Sequence, residues 1–215
     1  MYGLSVISAM MSSGNFRKGL LLVGDTITKT ISKEDRSLVP IFSDAGSSTL
    51  LEYSPQAAPT HFNLQTDGAG YDKIIVKGGG ARMMANETNK YLYMNGQDIF
   101  HFGLKEVGAN IDRLLEEKDI AIEKIDYFVM HQANMLLNET IRKKSGISID
   151  RTLYSLKEYG NTSCASIPVT LSANSKELKN DSSLLLTGFG VGLSWGSVFI
   201  STSNLKCFAI DEYHK

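Results

Sequence analysis

Residues 182–200 carry no charge, and a stretch that long and uncharged is either a membrane span or the centre of a water-soluble core. Gly188, Gly190, Gly192 and Gly196 lie inside it, together with several hydroxyl residues. Glycine is costly inside a helix, so the stretch reads as two buried strands around a glycine turn rather than as a span. Strands this apolar need cover on both faces, and the rest of the chain must provide it. With 215 residues and 42% apolar content the chain is large enough to do so, as one or two domains.

The cover takes the form of an alternation. Residues 2–13 place Leu4, Ile7, Met10 and Met11 at helical spacing and stop at Gly14. Residues 18–24, Lys-Gly-Leu-Leu-Leu-Val-Gly, are too short for a helix and read as a strand buried on both faces. A polar loop over 26–38 leads to a strand or hairpin over 41–53. Residues 54–89, with Pro55, Pro59 and the run Gly78-Gly79-Gly80, have the composition of a loop or insertion. A second block begins near Asn95. There Ile99, Phe100, Leu104, Val107, Ile111, Leu114 and Leu115 form a helical stripe. Strands are expected over 125–130 and 151–156, helices over 134–144 and 166–178, and strands again over 183–188 and 194–202, the last two antiparallel. Alternating strands and helices define an α/β fold of stacked layers. The blocks, residues 1–94 and 95–215, end alike in a strand, a glycine turn and a further strand. The first opens on a helix with no strand before it, although a parallel α/β unit needs one, so an incomplete first half and a complete second half are expected.

Several functions are excluded early. Lys plus Arg number 22 and Asp plus Glu 23, and the formal charge of −1 offers no footprint for nucleic acid or an anionic membrane. Cys164 and Cys207 cannot form a disulfide framework, and without a secretory signal a reducing cytoplasm is the expected compartment. His61, His101 and His214 are scattered, with no carboxylate or thiol at ligand spacing, so no metal is expected. Gly188-Phe-Gly-Val-Gly192 looks like a nucleotide loop, but a strand follows it where a phosphate cradle needs a helix.

His131 ends a strand and precedes a helix, the place where open α/β sheets bind ligands. Position alone leaves it evenly balanced between a functional histidine and a hydrogen-bonded junction residue. Asn161, in Tyr159-Gly-Asn-Thr-Ser163, taken alone describes a turn with a helix cap.

Taken together, Val129-Met-His-Gln-Ala-Asn134, Tyr159-Gly-Asn-Thr-Ser-Cys-Ala-Ser-Ile-Pro168 and Gly188-Phe-Gly-Val-Gly-Leu-Ser-Trp-Gly196 resemble the β-ketoacyl-acyl-carrier-protein synthase III family. The three motifs stand in the family's order, and weaker likeness runs through most of the chain. The resemblance implies a thiolase-like α-β-α-β-α architecture made of two similar halves, residues 1–94 being the first, truncated and carrying the loop insertion. It implies an acyltransferase of fatty-acid or related acyl-chain biosynthesis, with no cofactor. Acyl-CoA and acyl carrier protein are its substrates. A cysteine thiolate takes the acyl group, and malonyl-acyl-carrier protein decarboxylates and attacks it. By the same resemblance His131 and Asn161 stabilise the enolate oxygen and Phe189 shields the thiolate. Arg36, Gln97 and Asn134 fall where the family holds coenzyme A or its pantetheine arm.

The departures carry expectations of their own. The family's nucleophile belongs a few residues before the helix at Tyr2, and no cysteine occurs among residues 1–163. Cys164 stands where a small residue is usual and is expected to be a packing residue. Leu136 replaces an arginine that contacts the carrier protein or coenzyme, and Gln97 replaces an asparagine; both point to a specialised paralogue. A fragment without its nucleophile is therefore expected, as a homodimer or with a complementing N-terminal segment. The alternative is a non-catalytic thiolase-fold partner that binds an acyl or carrier group.

Overall fold

The computed structural model describes residues 1–81, 83–87 and 89–213. Helix α1 (Tyr2–Ser12) ends at Gly14, whose φ of +82° is the left-handed turn that glycine adopts without strain. Strands β1 (Lys18–Asp25) and β2 (Ala45–Glu52) pair antiparallel as a two-stranded ribbon. β3 (His61–Thr66) follows, then a small hairpin of β4 (Ile74–Val76) and β5 (Leu92–Met94). Helices α2 (Gly96–Phe102) and α3 (Gly108–Glu117) form one path through a π-type turn at Gly103–Val107. Gly103 lets α4 (Met135–Lys144) come close: a Cβ there would lie 3.0 Å from a Leu137 methyl. β6 (Tyr127–Met130) precedes α4; β7 (Thr152–Leu153), α5 (Leu156–Tyr159), α6 (Ser166–Ala173), β8 (Ser182–Gly190) and β9 (Ser194–Thr202) complete the order.

The main sheet runs β3-β9-β8-β6-β7. β6 is parallel to β7 and β8, while β9 is antiparallel to β8 and β3. Alternate residues face opposite sides. Phe128, Met130, Leu185, Phe189, Trp195 and Phe199 pack with Val107, Ile111 and Leu114 of the π turn and α3 and with Leu137 and Ile141 of α4. Val129, Leu184, Leu186 and Val198 pack on the other side against Leu4 of α1 and Ile167 of α6. Hydroxyls tolerated in these strands are paired, as Thr187 Oγ1 and Ser197 Oγ are at 3.0 Å across β8 and β9. The uncharged stretch is thus the buried strand pair expected, and among the described residues no helix is long and apolar enough to cross a membrane.

The ribbon forms a further layer outside α1 and α6. Gly3 and Gly19 admit Leu21 and Ile7 between α1 and β1; a Cβ on either would clash at 2.8 Å or less. The molecule is a layered α/β fold, helix on sheet on helix on ribbon. Two expectations need correction. β1 is not buried on both faces: its residues alternate, and Leu20 and Leu22 are 57% and 68% exposed because no layer lies over that side. Residues 54–89 are not all loop, since β3 joins the main sheet beside β9, taking a strand of the first block into the sheet of the second. Its polar side is satisfied internally: Asn110 Nδ2 and Trp195 Nε1 both donate to Gln65 Oε1, at 2.8 and 3.1 Å. Smaller differences lie at 151–156, where the strand is only two residues long before α5, and at 166–178, where the helix ends at Ala173.

Candidate active site

His131 stands where β6 runs out. Its backbone N–H still donates to Thr187 O of β8 at 2.8 Å, and its carbonyl accepts from Asn138 Nδ2 of α4 at 3.1 Å. The imidazole is thereby held at the carboxyl end of the sheet, with the Phe189 ring edge-on at 5.3 Å between centroids and 84° between planes. Nδ1 lies 2.7 Å from Ser166 Oγ at the start of α6. The ring is half-buried. Burial pulls its pKa down from 6.5 to about 4, offset in part by a hydrogen bond with the Ser163 backbone, so the imidazole is neutral at neutral pH.

Asn161 is placed by a different device. Gly160 adopts φ +65°, and a Cβ there would sit 3.0 Å from the Ile41 carbonyl, so glycine is required. The turn is stitched to the first block: Asn161 N donates to Ile41 O at 2.9 Å and Ser43 N to Asn161 O at 3.0 Å. Asn161 is buried, and its Oδ1 accepts from Ser163 N at 2.9 Å. That bond assigns the amide orientation, leaving the NH2 group with no partner among the described residues. Ser163, at φ +52°, donates through Oγ to Asp25 Oδ2 at the end of β1, at 2.7 Å.

His131, Asn161 and Phe189 therefore gather round the turn 161–166. Arg36 is exposed on the loop before Ile41, and Gln97 is exposed in the first turn of α2. Asn134 caps α4, its Oδ1 accepting from Leu137 N at 2.9 Å. No hydrogen bond or ring contact among the described residues joins these three to His131 or Asn161. Cys164 is exposed rather than packed, which corrects its expected role, and the half-buried Cys207 has its thiol pKa raised by burial. Met1, at the start of α1, comes close to the same region, with its Cγ 3.3 Å from where a Gly188 Cβ would lie. Among the described residues no group of three or more His, Cys, Asp or Glu could hold a metal ion; His214 lies outside them.

Ser166, Asp25 and the segment 41–43 are parts of the site that sequence reasoning missed. The available signal was the dense hydroxyl run from Thr162 to Ser166, which reads first as helix capping.

The family described as 3-oxoacyl-[acyl-carrier-protein (ACP)] synthase III C terminal matches residues 115–202, and 3-oxoacyl-[acyl-carrier-protein (ACP)] synthase III matches residues 1–68. The β-ketoacyl-[acyl-carrier-protein] synthase III of Streptococcus equi subsp. zooepidemicus is 35% identical over 206 residues, 93% of this chain and 64% of the relative. That of Lactococcus lactis subsp. cremoris is 35% identical over 210 residues, with the same coverage. The crystal structure of 3-oxoacyl-(acyl-carrier protein) synthase from Burkholderia xenovorans superposes with a TM-score of 0.91 at 34% identity, over 97% of this chain and 62% of that one. The chain thus spans less than two thirds of the length of these relatives.

Proposed function

We propose that this chain, which belongs to the 3-oxoacyl-[acyl-carrier-protein] synthase III family, carries the oxyanion-stabilising part of a decarboxylating acyltransferase site. Its fold is the family's thiolase-like layered α/β architecture. The observation that carries the reading is the fixed amide of Asn161. With Oδ1 occupied by Ser163 N–H, the amide has only N–H donors left to offer, on the same turn 161–166 whose Ser166 meets the imidazole of His131, which burial keeps neutral.

The chemistry follows from those two donors. An acyl group is transferred from a coenzyme A thioester to a cysteine thiolate. Malonyl-acyl-carrier protein then loses carbon dioxide, and the electron pair of the broken C–C bond moves into an enolate whose oxygen is the thioester oxygen. An imidazole N–H and an amide N–H stabilise that oxygen without a full charge that would also bind the ground state tightly. The enolate carbon attacks the acyl thioester, forming the new C–C bond and expelling the thiolate. Phe189, edge-on to His131, keeps water from the acyl intermediate. Arg36, Gln97 and Asn134 sit at exposed positions suited to coenzyme A or the pantetheine arm. Neither cysteine fits the nucleophile: Cys207 lies on the C-terminal segment with a raised thiol pKa, and Cys164 is on the half that holds the oxyanion donors. The thiolate then comes from a complementing segment or an active subunit.

The test separates the half-reactions. Supplied with the cysteine-bearing N-terminal segment of a relative, His131→Ala or Asn161→Ala lowers condensation by about two to three orders of magnitude, ~2.7–4 kcal/mol, while self-acylation persists. Equal losses in both steps reject the oxyanion role. Binding of the segment with no condensation at all would instead favour a non-catalytic thiolase-fold partner.

A further inference from the structure

We propose that Ser166 is a positioning residue for His131: its hydroxyl donates to Nδ1 and so keeps the imidazole proton on Nε2. The distance is 2.7 Å, and Ser166 is 2% exposed. A neutral imidazole has one donor and one acceptor nitrogen, so the pair can be arranged in two ways. If Nδ1–H donated to the hydroxyl, the serine's own proton would be left buried without an acceptor, because Ser166 Oγ has no other hydrogen-bond partner among the described residues. A buried donor left unsatisfied is costly, whereas a hydroxyl oxygen with spare lone pairs costs much less. The serine therefore donates, Nδ1 accepts, and Nε2 carries the proton.

The serine is itself held by a closed circuit of buried polar groups. Thr170 Oγ1 donates to the Ser166 carbonyl at 2.8 Å and lies 2.7 Å from Ser155 Oγ. Ser155 N donates to Gln132 Oε1 at 3.1 Å, and Gln132 Nε2 returns to the Met130 carbonyl at 2.8 Å, next to His131. Gln132 and Thr170 are both fully buried. One circuit thus spans the end of β6, the residue before α5 and the first turn of α6, and fixes both partners of the bond.

The consequence for catalysis rests on the oxyanion reading given above, since a donor is useful there only if Nε2 bears the proton. The tautomer itself is measurable without any activity. The 215-residue chain is labelled with 15N-histidine, and two-bond nitrogen–proton correlations are recorded, with His131 assigned by loss of its signals in His131→Gln. The expected result is an Nε2–H tautomer that shifts towards Nδ1–H in Ser166→Ala. Ser166→Thr, which keeps the hydroxyl, retains Nε2–H, and so does Ser155→Ala, which breaks the circuit without touching the ring. Nδ1–H in the unaltered chain, or Nε2–H that survives Ser166→Ala, overturns the proposal. Should Ser166→Ala fail to fold, scalar coupling between the Ser166 hydroxyl proton and Nδ1 in the unaltered chain decides it: present if the serine donates, absent if it does not. A failed condensation assay bears on the oxyanion role and leaves this result intact.

Discussion

Leu20-Leu21-Leu22 in β1 and Leu184-Leu185-Leu186 in β8 are the same tripeptide in the same kind of element, yet their fates differ. In β8 all three are buried, because strands lie on both edges and helices on both faces. In β1 only the middle leucine packs inward, towards α1, and the outer pair joins Leu50 of β2 on an open surface. A run of apolar residues fixes strand character but not its depth, which depends on elements far away in the chain. The ion pairs repeat the contrast. Lys18–Glu52 spans the ribbon at 2.7 Å with side chains 69% and 60% exposed, whereas Arg142–Glu139 on α4 has the same length at 11% and 25%.

The largest expected difference is in stability. Leu185→Ala should cost ~2–5 kcal/mol in urea unfolding, by lost burial and a cavity between two packed layers. Leu22→Ala should stay within about 0.5 kcal/mol, as exposed substitutions usually do. A cost at Leu22 close to that at Leu185 would break the comparison and mean that the ribbon's outer face is covered in solution.

Association comes next. An open apolar row on a strand with an unpaired edge is adhesive, so light scattering during gel filtration at micromolar concentration should show the chain self-associated. The double substitution Leu20→Lys and Leu22→Lys should shift it towards monomer without lowering its melting temperature. A clean monomer before substitution would show that the ribbon needs no cover.

The ion pairs should differ most clearly in acid. Glu139 is held at about 2, below its usual 4.5, by hydrogen bonds from Arg142 and from Tyr154 Oη, the latter at 2.6 Å. Its pKa is depressed in the folded state, so its contribution is complete above about pH 5 and is lost as pH falls towards 2. Glu139→Gln should flatten stability across that window. Lys18→Ala, at the exposed pair, should leave stability at neutral pH nearly unchanged, because solvent screens that pair. An equal acid response in the two variants would erase the distinction.

What was legible in the sequence follows the same divide. The uncharged stretch declared the central strands, because burial on both faces leaves no room for charge. His131, Asn161 and Phe189 were picked out through three motifs in order, and the structure places them around the turn 161–166. Ser166 was not, since its partner is 35 residues away and a serine before a helix looks like a cap. β3 was hidden inside a stretch whose prolines and glycines have the composition of a loop, and its polar Asn63 and Gln65 find partners, Asn110 and Trp195, only in the folded chain. The openness of β1 was hidden too, because an amphipathic arrangement needs a polar face to be recognised and this one is apolar on both.

The stitching of Asn161 to residues 41–43 sets how long the site persists. The Asn161 and Ser43 amides are each other's gatekeepers, since both bonds run between the same two segments. Proteins open in cooperative units, and an amide exchanges with solvent at the rate of the least stable unit that releases it. One of these segments belongs to the well-buried half, and the other lies between the two strands of the ribbon, just before β2. In hydrogen exchange the Asn161 amide should therefore follow the clock of the 41–43 segment rather than that of the central sheet, and the donor geometry is lost at that same rate.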